Sequence, residues 1–158
     1  MQTTVADIEQ ILSQVTDPEI PVLSITDLGV LRKVYWDEQT AEWKIIITPT
    51  YTGCPAMDAI ATNIRLTLLA NNIKNFKIEM VLSPAWTTDW MSEAGKQKLQ
   101  TYGIAPPNKQ IEIPEDGVEC PLCQSHNTKL ISTFGSTACK ALYQCNDCKE
   151  PFDYFKCH

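Results

Sequence analysis

Trp43-Lys44-Ile45-Ile46-Ile47-Thr48-Pro49-Thr50-Tyr51-Thr52-Gly53-Cys54-Pro55-Ala56-Met57-Asp58 is the stretch on which the fold turns. Its first five residues read as a strand. A loop with two prolines and a glycine follows, and from Ala56 to about Ala70 the sequence reads as a helix, with Met57, Ile60, Ile64, Leu68 and the neighbouring Leu69 on its apolar side. Cys54 stands where that helix begins, with Pro55 at the first helical position, where a missing N–H costs nothing. Free backbone N–H groups and the positive end of the helix dipole are expected to lower the pKa of a thiol placed there. The competing reading is a small residue filling a tight turn.

Outward from this stretch, Val5, Ile8, Leu12 and Val15 fall on one face of a helix over residues 4–15, with Thr4 and Asp7 as a capping pair. Pro18 ends it by Asp17. Residues 17–29, with two prolines, a glycine and three carboxylates among apolar side chains, read as an ordered loop pinned to a core. Val30 to Trp36 is a strand, Asp37 to Thr40 a turn, and Glu42 to Thr48 the antiparallel partner. Phe76, Ile78, Met80 and Leu82 alternate as a third strand. A loop rich in aromatics, Pro84 to Trp90, precedes a helix over about Asp89 to Tyr102, closed by Gly103. Residues 104–107 are extended, and Ile111-Glu112-Ile113 reads as a short strand. The class is α+β: a small, mostly antiparallel sheet with helices on one face, followed by a second, cysteine-rich unit.

The boundary between the two units comes from the cysteines. Six of the seven lie after residue 119, so residues 1–113 form the first domain and 114–158 a linker and ribbon. Cys120-Pro121-Leu122-Cys123 and Cys145-Asn146-Asp147-Cys148 are two CxxC knuckles with 21 residues between them. Two such knuckles bring four thiolates around one zinc ion, and in so small a unit the metal supplies folding free energy. An iron–sulfur cluster and a redox disulfide are the rival cargoes. Cys139, Cys157, His126 and His158 are left over; His126 is a possible stand-in ligand, and Cys139 and Cys157 read as packing thiols. Phe134, Tyr143, Phe152, Tyr154 and Phe155 read as ribbon core or a protein-docking patch. Residues 120–158 hold four Lys against three Asp or Glu, so no basic face accompanies these rings.

A net charge of −6 and a pI near 4.8 set the chain against phosphate backbones. With 44% hydrophobic and 20% charged residues it has the composition of a globular protein. No apolar run approaches the ~20 residues of a membrane span, and residues 1–10 lack a secretory pattern, so a soluble, cytoplasmic protein with reduced cysteines is expected.

Three groups of residues carry a resemblance. Asp17-Pro18-Glu19, Asp27-Leu28-Gly29 and Thr52-Gly53-Cys54-Pro55 resemble the SufT-type iron–sulfur assembly domain. The tail Phe134-Gly135-Ser136-Thr137-Ala138-Cys139-Lys140-Ala141-Leu142-Tyr143, then Cys145, Cys148 and residues 150–158, resembles the PaaD (PaaJ) family of the bacterial phenylacetyl-CoA epoxidase system. Residues 83–91, Ser83-Pro84-Ala85-Trp86-Thr87-Thr88-Asp89-Trp90-Met91, belong to the same match.

The resemblance implies a part in aerobic phenylacetate degradation, alongside a di-iron oxygenase and a reductase carrying flavin and an iron–sulfur cluster. It implies an accessory that loads or maintains a metal centre in one of those partners, not the epoxidation catalyst. The alternative is a structural or docking subunit whose zinc only holds the ribbon. A stand-alone thiol enzyme would need a histidine beside Cys54, and both histidines lie in the ribbon. One thiol cannot hold a stable cluster; the other ligands would come across a two-fold homodimer or from a partner. Within this reading Asp17, Glu19 and Asp27 orient the thiol loop or contact metal, or else serve as loop caps. Thr52 and Gly53 shape the loop. Trp86 and Trp90 anchor a partner or pack in the core.

Overall fold

Thr4 opens the first helix as the sequence predicts. Its side chain accepts from Asp7 N–H, and the Asp7 carboxylate takes the Thr4 N–H in return, which completes a capping box. In this computed structural model, which describes residues 2–107 and 113–156, α1 runs Val5–Leu12. Ile8, Leu12 and Val15 are buried, while Val5 stays exposed in the first turn. Two compact units make up the chain, residues 1–86 and 87–158.

In the first unit, the loop after α1 is pinched shut between Thr16 and Ser24, with Asp17 N–H on Leu23 O and Ile25 N–H on Val15 O, both 2.9 Å. Its second half is a helix of one turn, α2 (Ile25–Leu28), where the sequence reads as loop. Ser24 and Asp27 form a second capping box and Gly29, at φ +75°, ends the turn in the left-handed region. Strands β1 (Leu31–Asp37) and β2 (Glu42–Ile47) pair antiparallel, α3 (Ala56–Ala70) follows, and β3 (Phe76–Met80) pairs with β2.

That last pairing is parallel, so the sheet, in order β1-β2-β3, is mixed. The physical reason is the crossover: a helix of this length between two strands returns the chain to its starting end, which a hairpin cannot do. Among the described residues three of the five strand pairings are antiparallel. Ile45 and Ile47 of β2 are fully buried, as are Ile60, Ile64 and Leu68 of α3, and α1 packs on both α3 and β1. Leu69 turns out to solvent. On the other face Lys44 lies 2.6 Å from Glu42 and 3.7 Å from Glu79, with the half-buried Ile46 next along β2.

Trp86 closes this unit. It is buried, and its indole Nε1–H donates to Leu28 O at 2.8 Å, across 58 residues of sequence. It therefore packs in the core and is no exposed anchor; Trp90 is half-buried in a short 3-10 turn, Thr88–Trp90.

The second unit begins with that turn and with α4 (Glu93–Tyr102), capped by Ser92 and ended by Gly103 at φ +94°. β4 (Ile104–Ala105) pairs parallel with β7 (Pro151–Phe155) at the edge of a four-stranded sheet, order β4-β7-β6-β5, with β5 Thr128–Ser132 and β6 Lys140–Cys145. The compact unit thus starts ahead of the cysteine-rich segment, because β4 and the α4 packed on it belong to the ribbon sheet. Tyr143 is fully buried, stacked on Phe152 at 5.7 Å and edge-on to Tyr154 at 5.4 Å. Phe155 is buried too, whereas Phe134 is exposed under the Lys156 ammonium, 4.0 Å from the ring centre. Of the strand expected at 111–113, Ile111 and Glu112 lie outside the described residues, as do Cys157 and His158.

Replacing Trp86 by Phe keeps most of the packing and strands the Leu28 carbonyl. A loss of about 1–3 kcal/mol is expected, read as a lower urea midpoint with an unchanged far-UV spectrum.

Candidate functional site

Three loops meet at one end of the first sheet. Thr48 N–H donates to Val30 O and Val81 N–H to Ile47 O, each at 2.9 Å, so the start of β1 lies beside the ends of β2 and β3. The pinched acidic loop and α2 lead into β1, the thiol loop leaves β2, and the segment to Trp86 leaves β3. In a parallel β-α-β unit this end also receives the N-terminus of the crossover helix, here α3.

The thiol loop is built by a turn. Cys54 N–H donates to Tyr51 O at 3.2 Å, and Gly53 takes φ +77° at the third position of that turn, which a side chain would resist. Pro55 follows with helical angles, and Met57 N–H reaches back to Cys54 O at 3.3 Å. Cys54 is half-buried, Thr52 and Gly53 are exposed, and the Tyr51 hydroxyl and the Ala56 N–H both reach the thiol.

The placement at a helix start predicts a depressed thiol pKa, and here the structure reverses the expectation. Burial of the Cys54 sulfur pushes its pKa up; the bonds from Ala56 and Tyr51 pull the other way, and the nearby Glu19 and Asp17 carboxylates add to the rise. Asp17 and Glu19 are therefore close enough for their charge to act on the thiol. The carboxylates also have local duties. Asp17 Oδ1 accepts from Glu19 N–H at 2.7 Å and Ile20 N–H at 3.1 Å, holding the turn over Pro18. Asp27 is spent largely on the α2 cap, where its Oδ2 accepts from Ser24 N–H.

The ribbon holds the second cluster. The Sγ atoms of Cys120, Cys123, Cys145 and Cys148 lie within 4.8 Å of one another, with Cys123–Cys145 at 3.5 Å and Cys120–Cys148 at 3.8 Å. Thiolates placed tetrahedrally at about 2.3 Å from zinc have sulfur–sulfur edges of about 3.8 Å, so the four residues fit a single four-coordinate ion. A cluster of two or four irons would spread its ligands over separate metal atoms and needs them farther apart.

Each knuckle ends in a residue in the left-handed region, Gln124 at φ +62° and Lys149 at φ +69°. Cys120 N–H bonds Ser125 O at 2.8 Å, and Cys145 N–H bonds Glu150 O at 3.0 Å. The knuckles are stitched to each other by Asn146 on Asn127, 3.0 Å through side chains and 2.8 Å through backbone, and by Asp147 accepting from Ser125 and Asn127. Backbone N–H groups of Cys148 and Asp147 aimed at Cys145 bring its thiol down to about 7, which favours the metal-binding thiolate.

His126 takes no part in the four-sulfur group; it faces Gly117 O at 3.2 Å and Glu119 at 3.7 Å. Cys139 is buried beside the Thr137 hydroxyl at 3.0 Å, a packing thiol as its sequence context suggests. Sequence reasoning missed Tyr51, whose hydroxyl touches Cys54; an aromatic three residues before a turn cysteine was the available signal.

The raised pKa predicts slow alkylation of Cys54 by iodoacetamide near neutral pH, with a midpoint above that of a free cysteine, followed by peptide mass mapping. Glu19→Gln removes a negative charge that opposes the thiolate, so the midpoint should move down.

Similarity to known proteins follows the same division. The family model described as iron–sulfur cluster assembly protein matches residues 5–71, and that described as PaaD zinc beta ribbon domain matches residues 105–156. A solved structure of a domain of unknown function, DUF59, from Bacillus anthracis aligns at TM-score 0.55 and 28% identity, over 60% of this chain and 90% of that one. An "Fe-S protein maturation auxiliary factor" of Porphyromonas gingivalis is 35% identical over 61% of this chain and 90% of its own length. An Escherichia coli K12 protein, named as one of the subunits of a "Putative 1,2-phenylacetyl-CoA epoxidase", is 49% identical over 97% of this chain and 93% of its own length. An assembly-type unit followed by a four-cysteine ribbon, matched from end to end by that Escherichia coli protein, places this chain in the PaaD family.

Proposed function

We propose that this chain is an accessory of the phenylacetyl-CoA epoxidase that assists maturation of an iron or iron–sulfur centre in the oxygenase or reductase component. The observation that carries the proposal is the position of Cys54: half-buried where three loops meet at the start of α3, beside Asp17 and Glu19, and the one cysteine among the described residues that lies outside the ribbon unit. The names of the relatives support it, since one is named for the epoxidase and another as an iron–sulfur maturation factor.

In this reading iron is cargo. Cys54 stays protonated and quiet while its carboxylate neighbours face it alone. An arriving cation is attracted by Asp17 and Glu19, offsets their repulsion of the thiolate, and draws the proton off Cys54 Sγ. Tyr51 and the Ala56 N–H then hold the sulfur by hydrogen bonds. A single thiolate binds such cargo weakly and completes its coordination with ligands from the client, which suits transfer better than storage.

Zinc in the ribbon has a separate, structural part. Four thiolates close its coordination shell, so it joins the two knuckles and leaves no position for substrate. A docking subunit without metal transfer is the second reading, and the raised pKa of Cys54 favours it.

The two readings separate on Cys54→Ala. Co-production of the epoxidase components with this variant should leave oxygenase or reductase iron as low as in the absence of the chain; unchanged iron leaves only docking. Elemental analysis of the wild-type chain should find about one zinc per chain. Cys145→Ser should lose it together with partial unfolding of the ribbon, seen as reduced amide dispersion.

A further inference from the structure

The edge of the first sheet carries a pattern that complements itself. β3 reads Phe76-Lys77-Ile78-Glu79-Met80, an apolar residue at its centre and at both ends with a cation and an anion between. It is the outer strand of the order β1-β2-β3. Asn75 O accepts from Trp43 N–H and Val81 N–H donates to Ile47 O, both at 2.9 Å, so odd-numbered residues of this stretch turn their backbone groups toward β2. Phe76, Ile78 and Met80 therefore direct their N–H and C=O groups outward.

The opposite edge is guarded. β1 has a register break between Leu31 and Lys33, and Arg32 and Lys33 stand exposed there. β3 has no register break, and its charges, Lys77 and Glu79, are of opposite sign; among the described residues no strand pairs with its outer edge. It contains no proline, and Met80 and the following Leu82 are 49% and 60% exposed.

We propose that β3 is the interface for a second copy of this chain, paired antiparallel about a two-fold axis through Ile78. In that register Ile78 meets Ile78 of the other copy as a hydrogen-bonded pair, using the outward N–H and C=O, and Phe76 meets Met80 in the same way. Lys77 lies directly opposite Glu79, twice, at the non-hydrogen-bonded positions where side chains come closest. Moving the axis to Lys77 or Glu79 keeps the backbone pairing but sets like charges opposite one another, and a slip that pairs even with odd residues is blocked because the odd-numbered residues have given their backbone groups to β2. The two three-stranded sheets become one of six strands, through an isologous contact that closes on itself.

The occupant follows from the charges: Lys77 and Glu79 pair with each other at 3.4 Å within the strand, and a second copy of the strand in antiparallel sense gives each of them a further opposite charge across the seam. Antiparallel pairing also sends the two Cys54 loops to opposite ends of the shared sheet, roughly 15 Å or more apart. A second copy then supplies no ligand to the first copy's thiol, and each loop end stays open to a client. The interface itself does not depend on the maturation reading.

The test is the mass of the full chain in solution by sedimentation over a concentration series, with circular dichroism as a check on folding. Wild type is expected at twice the 17.8 kDa chain mass. Lys77→Glu alone and Glu79→Lys alone each set like charges opposite one another twice and should sediment as monomers. An equimolar mixture of the two variants restores both opposite-charge pairs and should return to the doubled mass. Ile78→Pro removes one outward N–H that β2 does not use, and should give a folded monomer. A monomeric wild type overturns the proposal, including one that takes up an epoxidase component along this edge. A dimer that survives both charge variants and Ile78→Pro overturns it equally.

Discussion

Between Ile45 of β2 and Ile78 of β3 the strands run parallel, and a parallel pair cannot be closed by a tight turn. Everything functional in the first unit depends on that constraint. The chain must cross from the end of β2 back to the start of β3, and α3 is the crossing. Its inner face, Ile60, Ile64 and Leu68, covers the sheet, and its N-terminus is brought to the end where β2 and β3 both finish. The antiparallel hairpin adds the acidic loop to the same end, tied there by Thr48 on Val30, and Trp86 clamps that loop through Leu28. A cysteine at the head of the crossover therefore meets carboxylates some 35 positions earlier in the chain.

The two kinds of cysteine site show how similar local geometry leads to opposite chemistry. Cys54 and Cys145 both receive backbone N–H groups of the kind that stabilise a thiolate. At Cys145 these donors and the neighbouring thiols outweigh burial, and the pKa falls to about 7. At Cys54 desolvation outweighs the donors, and Glu19 and Asp17 reinforce it. In the ribbon only Cys145 is shifted toward the thiolate, since the neighbouring thiols push Cys148 and Cys123 up; in the loop, burial and the carboxylates keep the Cys54 thiol protonated.

The ribbon does not lean on its metal alone. Tyr143, Phe152 and Tyr154 form an aromatic core, with the Tyr143 hydroxyl on Pro114 O, and Thr128 donates to Val118 O at 2.6 Å. The Asn127, Asn146 and Asp147 contacts join the knuckles on the outside. The four-cysteine group lies at one end of a sheet that is continued, at its far edge, by β4.

Much of this was legible in the residues themselves. Ala56–Ala70 follows from its apolar spacing, the first capping box from Thr4 and Asp7, and the grouping of four cysteines from two CxxC knuckles, because each signal is local and acts through its own backbone. The family, too, could be read from short motifs in the loops and the tail. Three things were decided only by tertiary structure. Strand direction is one: Phe76–Met80 alternates equally well in either sense, and only docking of α3 makes it parallel. The membership of β4 in the ribbon sheet is another, since two residues carry no signal until β7 lies beside them. The third is the state of Cys54. Its position at a helix start could be read from Pro55 and the apolar run behind it, but its burial and its carboxylate neighbours exist only once the loops have met, and those are the terms that set its proton affinity.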